Sequence, residues 1–280
     1  MQPVLRFAPS PNGRLHLGHA YCALLNAKLA HDMGGRFLLR LEDIDTTRCT
    51  PELANNILED LAWLGLAWEE PVRVQSQHWQ DYERALATLE QRGLLYPCFC
   101  SRSQIAGGPI HGQDPDGAPL YPGTCAALSA KEAQARIASQ EPHSWRLHMH
   151  AAIAACDAPL SYTRFALPAM QEERVAAQPA RWGDVILARK ETPTSYHLSV
   201  VVDDALQGVT HVVRGKDLEA ATDVHVLLQV LLGLTTPLYH HHKLLTQAGG
   251  DKLAKSKRSP TLATLRERGL PPPSLAALED

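Results

Sequence analysis

The feature that most limits what this chain can fold into is the alternation of its first 95 residues between short apolar runs and stretches with apolar residues at helical spacing. Val4-Leu5-Arg6-Phe7-Ala8 is broken by Pro9, Pro11 and Gly13, after which His19 to Met33 carries Leu24, Leu25, Ala27 and Leu29 at helical intervals. Arg36 to Leu41 reads as a second strand ending in an acidic cluster. Thr50-Pro51-Glu52 then supplies an N-cap and a proline at the first helical position for a helix through Leu64, and a third helix runs from Trp79 to Arg92. Such alternation predicts an α/β fold, with helices packed on a parallel sheet and a ligand crevice at the carboxyl ends of its strands.

The texture changes at about Tyr96. From there to Tyr121 the chain holds Gly107, Gly108, Pro109, Gly112, Pro115, Gly117 and Pro119 with little periodicity, which marks an insertion. The α/β texture returns at Gly183 to Leu187, continues through Leu198 to Val202 and His211 to Gly215, and enters a helix from Ala221 to Leu232. The expected organisation is a sheet split in two: 1–95 the first half, 96–182 the insertion, 183–248 the second half, and 249–280 a lysine-bearing loop with a short tail that Pro271-Pro272-Pro273 closes.

Lys and Arg total 27 against 30 Asp and Glu, so any nucleic-acid partner has to be met by a local basic patch. No run approaches the ~18 uncharged apolar residues of a membrane span, and the N-terminus lacks the pattern of a secretory leader. The expectation is a cytoplasmic monomer without membrane contact. Six cysteines are too sparse for a disulfide scaffold, yet Cys98, Cys100 and Cys125 crowd into one region, which in a reducing compartment favours metal.

Two segments carry chemistry for phosphate. Pro9-Ser10-Pro11-Asn12-Gly13-Arg14-Leu15-His16-Leu17-Gly18-His19 lies between the first strand and the first helix, where two imidazoles and a glycine can meet an anion at a helix N-terminus; the alternative is that the histidines only cap the helix. Asp251-Lys252-Leu253-Ala254-Lys255-Ser256-Lys257-Arg258 follows Gly249-Gly250, and its cations, with Arg266 and Arg268, could close on a triphosphate or grip RNA phosphates; the alternative is a solvated basic tail. A third constellation joins Cys98-Phe99-Cys100 to Tyr121-Pro122-Gly123-Thr124-Cys125. Zinc wants four ligands, so three thiolates need another donor, for which His111 is the generic choice, and a metal-free cluster of buried thiols is the alternative.

Together, His16-Leu17-Gly18-His19 and Lys252-Leu253-Ala254-Lys255-Ser256 resemble the paired HIGH and KMSKS signatures of class I aminoacyl-tRNA synthetases. The resemblance narrows to the glutamyl-tRNA synthetases at Arg6 to Pro11 with Gly13, at Leu39 to Asp45 with Arg48, and at Val201-Val202-Asp203-Asp204-Ala205 followed by Gly208 to Gly215. It implies a Rossmann-like catalytic domain that activates L-glutamate with ATP, magnesium assisting, and passes it to an RNA hydroxyl. By this resemblance His16 and His19 stabilise the phosphates, Gly18 lets adenine approach, and Lys252 and Lys255 bind ATP, Lys255 acting on the β- and γ-phosphates. Leu253-Ala254 departs from the Met-Ser of the family pattern and bears on the loop's geometry. Glutamate is expected among Arg6, Phe7, Ala8, Pro9, Ser10, Glu42, Tyr196 and Arg214: two arginines for carboxylates, Glu42 for the ammonium, a tyrosine hydroxyl. A magnesium-binding cluster is the alternative for Glu42-Asp43-Asp45, with Arg40 and Arg48 balancing it. His240-His241-His242 reads as structural or nucleotide-adjacent.

Tyr-Pro-Gly-Thr-Cys after Cys-x-Cys is similar to the zinc site of the short glutamyl-queuosine tRNA(Asp) synthetases, which prefers Tyr121 over His111 and gives the structural Zn2+ set Cys98, Cys100, Tyr121 and Cys125. Only 23 residues follow Lys257, too few for an anticodon-binding domain, so the resemblance is to that short family, whose acceptor is the queuosine nucleoside of tRNA(Asp). The alternatives are a truncated enzyme charging the tRNA 3′ end and a non-catalytic tRNA-binding relative.

Overall fold

In a computed structural model that describes residues 2–107, 112–245 and 260–279, the opening alternation becomes β1 (Val4–Phe7), α1 (Leu17–Asp32), β2 (Arg36–Leu41), α2 (Pro51–Trp63), β3 (Glu69–Val74) and α3 (Trp79–Gln91). The start of α2 follows its local chemistry, with Thr50 Oγ1 accepting from the Leu53 N–H at 3.2 Å and Pro51 leading the first turn. The middle of the chain forms β4 (Leu95–Cys98), α4 (Arg102–Ala106), α5 (Ala130–Ala138), β5 (Ser144–Leu147), α6 (Met149–Ala154), β6 (Ser161–Ala166) and β7 (Gln171–Ala176). Then come β8 (Ile186–Ala188), α7 (Tyr196–Leu206), β9 (His211–Gly215), α8 (Thr222–Leu232), β10 (Leu238–His242), α9 (Leu262–Glu267) and α10 (Leu275–Glu279). Gly233 ends α8 in the left-handed conformation, φ +67°, which a residue with a Cβ resists.

β1, β2 and β3 run parallel, and so do β9, β10 and β6, with β7 antiparallel at the edge. The two groups meet where the Thr210 N–H donates to the Val4 carbonyl at 3.0 Å and Val4 N–H to Thr210 Oγ1 at 2.8 Å. The carboxyl ends of β1 and β9 therefore open onto one crevice. Strand pairing crosses the expected boundaries: β6 and β7, inside 96–182, belong to the catalytic layer through β10, whereas β8, beyond 183, pairs with β5, which pairs with β4, in a separate antiparallel sheet.

The largest core cluster explains how the pieces hold together. Leu198, Val201 and Val202 of α7 and Val224, Leu227 and Leu228 of α8 pack against Leu147, Met149 and Leu187 beside the antiparallel sheet, and against Tyr82 and Leu89 of α3. α7 is buried from Leu198 to Asp204, which is why its sequence shows a continuous apolar run and no amphipathic stripe. Among the described residues no helix is long and apolar enough to cross a membrane.

Candidate active site

A cavity of about 550 Å³ opens at the carboxyl ends of β1 and β9, and every described residue expected in the glutamate and ATP sites lines it: Arg6, Phe7, Ala8, Pro9, Ser10, His16, Gly18, His19, Glu42, Tyr196 and Arg214. Lys252, Lys255 and the neighbouring Lys257 and Arg258 lie outside the described residues, as does His111. Arg266, from the same basic stretch, is engaged by Glu59 at 3.1 Å and by Asp60 at 3.3 Å.

The two histidines both cap α1 and face the cavity. His16 Nδ1 accepts from the Gly18 N–H at 3.1 Å, and His19 Nδ1 accepts from the His16 N–H at 3.1 Å. Because each Nδ1 is an acceptor, each neutral ring carries its proton on Nε2, and that is the N–H an anion in the cavity would meet. The ring centroids lie 3.8 Å apart. A Cβ on Gly18 would stand 3.0 Å from His16 Cε1, so the glycine makes room for this ring.

The floor of the cavity is a buried charge network. Asp204 accepts from Arg6 Nε at 3.0 Å and Nη2 at 3.3 Å, and from Arg40 Nη1 at 2.8 Å. Arg40 also holds Glu42, at 3.1 Å, while Asp203 receives Arg73 Nε at 2.6 Å, Gln75 Nε2 at 2.7 Å and the Tyr82 hydroxyl at 3.0 Å. Burial pushes the Glu42 carboxyl up while Arg40 and Arg6 oppose it; burial also raises Asp204, but Arg6 and Arg40 outweigh it and hold that carboxyl below its ordinary value. Arg48 is paired with Asp45 at 2.6 Å, as its place beside the acidic cluster suggested.

Arg214 is different. It is 4% exposed, and its hydrogen-bond contacts are all neutral: Nε to His241 Nε2 at 3.3 Å, Nη1 to the Tyr196 hydroxyl at 3.3 Å and to His225 Nδ1 at 3.2 Å, Nη2 to Thr222 Oγ1 at 2.7 Å. No carboxylate lies within ion-pair distance of it among the described residues. The register of β9 and β10 sets His241 beside Arg214. Burial first and Arg214 second lower His225 well below the usual imidazole range, His241 to about 2 and, with Arg189 added, His197 to about 4. Sequence reasoning assigns no role to Asp204, Thr222, His197 or His225. The Val-Asp-Asp motif is visible, but its carboxylates point inward to arginines, and a single histidine in the apolar helix α8 carries no spacing signal.

At the tip of the antiparallel sheet the sulfurs of Cys98, Cys100 and Cys125 all lie within 4.8 Å of one another, Cys100 and Cys125 at 3.6 Å. The Tyr121 hydroxyl is 3.5 Å from Cys100 Sγ and accepts the Cys125 N–H at 2.8 Å. Tetrahedral bonds of about 2.3 Å to a common zinc would separate thiolates by roughly 3.8 Å, so the cluster fits a metal. Burial raises the Cys125 thiol, but hydrogen bonds from Tyr121 and the Phe99 N–H outweigh it and hold it below its ordinary value.

A parallel sheet with paired histidines at the first helix and a cationic pocket beneath defines a nucleotide-dependent, class I synthetase type of catalytic domain. The family model for class I tRNA synthetases (E and Q), catalytic domain, matches residues 3–278, and the chain belongs to that family. It is 45% identical over 280 residues to the glutamyl-Q tRNA(Asp) synthetase of Rhodobacter capsulatus, covering 98% of this chain and 99% of that one, and 42% identical to that of Symbiobacterium thermophilum, covering 95% and 82%. Among solved structures it is similar to a glutamate tRNA ligase from Elizabethkingia meningosepticum in complex with its amino acid, with TM-score 0.76 and 25% identity over 97% of this chain. The chain spans 59% of the length of that ligase.

Proposed function

We propose that the protein activates L-glutamate with ATP as glutamyl-adenylate and transfers the glutamyl group to the queuosine nucleoside of tRNA(Asp). The observation that carries the activation step is Arg214, a buried cation whose described hydrogen-bond partners are all neutral. Arg6, Arg40 and Arg73 are matched by Asp204, Glu42 and Asp203, so among the described arginines of the site Arg214 is the one left to meet an anion. Glutamate offers two carboxylates and one ammonium. Its α-carboxylate has to meet the α-phosphorus near His16 and His19 at the mouth, which directs the side-chain carboxylate inward to Arg214 and leaves the ammonium to Glu42.

In the first step an α-carboxylate oxygen bonds to the α-phosphorus of ATP as the bond to the bridging oxygen breaks, and pyrophosphate leaves. The Nε2–H donors of His16 and His19 stabilise the charge that develops, and Lys255 neutralises the departing pyrophosphate, with Lys252 beside it. In the second step a queuosine hydroxyl attacks the carbonyl carbon, AMP leaves and the hydroxyl proton is lost. The acceptor rests on the glutamyl-Q tRNA(Asp) synthetases, one of which this chain matches over nearly its whole length. Cys98, Cys100, Cys125 and Tyr121 would hold zinc, which would fix the fold of a segment poor in apolar residues.

The test is glutamate-dependent ATP–pyrophosphate exchange without RNA, followed by transfer of labelled glutamate to tRNA(Asp) with and without queuosine. Exchange in the absence of tRNA and transfer only to queuosine-bearing tRNA support the proposal. Exchange that requires tRNA rejects the first half, and equal labelling of both tRNAs rejects the second.

A further inference from the structure

We propose that His225 and His241 are positioning residues that make the pocket select a carboxylate, by holding Arg214 with neutral acceptors and denying it any acidic partner. This rests on the reading of the cavity as a glutamate site and explains how that site separates glutamate from glutamine.

A guanidinium has donors only, so each atom facing it must present a lone pair. His225 Nδ1 therefore accepts from Arg214 Nη1, which places the His225 proton on Nε2, where it meets His197 Nδ1 at 3.2 Å. Thr222 Oγ1 accepts from Arg214 Nη2 and turns its own hydroxyl toward His241 Nε2 at 3.1 Å. His241 thus carries its proton on Nδ1, away from the guanidinium, and both imidazoles are fixed in one tautomer. A protonated imidazole could accept nothing and would repel Arg214, and burial beside this cation keeps both rings neutral.

The same cavity shows the alternative treatment of an arginine. Arg6 commits Nε and Nη2 to Asp204, and its charge is cancelled before any ligand arrives. Arg214 is oriented as firmly but its charge is not cancelled. A buried cation without a counter-ion among the described residues carries a desolvation penalty that an incoming carboxylate relieves and a neutral amide does not. Histidine suits this task because it offers a rigid lone pair without a charge.

The experiment compares neutral and acidic replacements of nearly equal size. One pair is His225→Asn and His225→Asp, which put an oxygen close to the place of Nδ1; the second pair is His241→Gln and His241→Glu, which reach toward the place of Nε2. Glutamate-dependent exchange on the full chain gives KM and kcat, and equilibrium titration with glutamate gives affinity if exchange is slow. The neutral variants should keep KM for glutamate within about threefold, while the acidic ones raise it at least about 30-fold, the scale of a lost charge-assisted hydrogen bond, with a smaller change in kcat and a reduced preference over glutamine. Thermal unfolding of each pair shows whether both members fold, and the His241 pair decides if a His225 variant does not. Equal loss in neutral and acidic variants, or an acidic variant with unchanged KM, overturns the proposal. A wild-type protein that neither binds nor activates glutamate instead overturns the reading of the site.

Discussion

Asp60 lies on the inner side of α2 with no exposure, and neither of its oxygens has a hydrogen-bond partner; Arg266 Nη1 approaches at 3.3 Å from α9. Burial pushes this carboxyl up to about 6, against the pull of Arg266 and Arg14. The folded chain thus holds a proton between roughly pH 4 and 6 that the unfolded chain has lost, so stability falls as pH rises through this window, by about 3 kcal/mol at most given about 1.4 kcal/mol per pKa unit. Urea unfolding of wild type and Asp60→Asn from pH 4 to 7.5 should show the wild type losing ground to the variant as pH rises, and parallel curves would reject the assignment. Arg214 gives a second prediction at this scale. Arg214→Lys keeps a charge but cannot make the contacts to Tyr196, His225, Thr222 and His241 together, so KM for glutamate in pyrophosphate exchange should rise at least about tenfold, with the preference over glutamine reduced. An unchanged KM in that variant would take Arg214 out of the glutamate pocket. Residue roles of this kind were legible only where a motif carried them. Asp60 reads as an ordinary charged position in Leu58-Glu59-Asp60-Leu61, because nothing in the local pattern announces that α9 will cover it.

At the scale of elements, the first half of the fold followed from local chemistry: Arg36–Leu41 and the Thr50-Pro51 start of α2 lie where their sequences put them. Further along, β9 (His211–Gly215) and α8 (Thr222–Leu232) also lie where their sequences put them, but α7 and the hairpin β6–β7 were not legible, for two physical reasons. α7 is buried on every side, so periodicity cannot separate it from a strand, and the hairpin β6–β7 is an edge carrying Arg164, Glu172, Glu173 and Arg174, which masks its alternation. The metal segment is legible in its cysteines but not in its packing. Among the described residues its buried core is Tyr96, Cys98, Phe99 and Cys125, with partly buried Ala126, Leu128 and Ile137 against it, Arg146 stacked over Tyr121 at 3.9 Å and Arg136 over Phe99 at 4.0 Å. On the zinc reading proposed above, so small a cluster would rely on the ion, and protein purified without chelator should contain about one zinc per chain. Cys125→Ser should lose zinc and lower the thermal midpoint together, read by elemental analysis and calorimetry. Zinc retained in that variant, or no zinc in the wild type, would remove Cys125 or the metal from the account.

At the scale of the whole molecule, the question is how a chain with 27 basic and 30 acidic residues holds an RNA. Among the described interior arginines of the site, Arg6, Arg40 and Arg73 answer to interior carboxylates and Arg214 lines the cavity, and Arg266 is held by Glu59 and Asp60, so these are not spare charges for a phosphate backbone. We propose that binding comes from a few cations near the reaction site, in which case affinity should fall with salt along a slope set by those few contacts. A contact that local reads one RNA element, and the acceptor nucleoside must lie within it. On the proposed function that element carries the queuosine of tRNA(Asp) and not the terminal adenosine. Removing the terminal adenosine from queuosine-bearing tRNA(Asp) should therefore leave glutamate acceptance intact, while intact tRNA lacking queuosine should accept none. The measurement is labelled glutamate retained on the tRNA at two salt concentrations. Loss of acceptance on trimming would mean that the activated glutamate is carried to the 3′ end, and that the pocket around Arg214 serves ordinary charging.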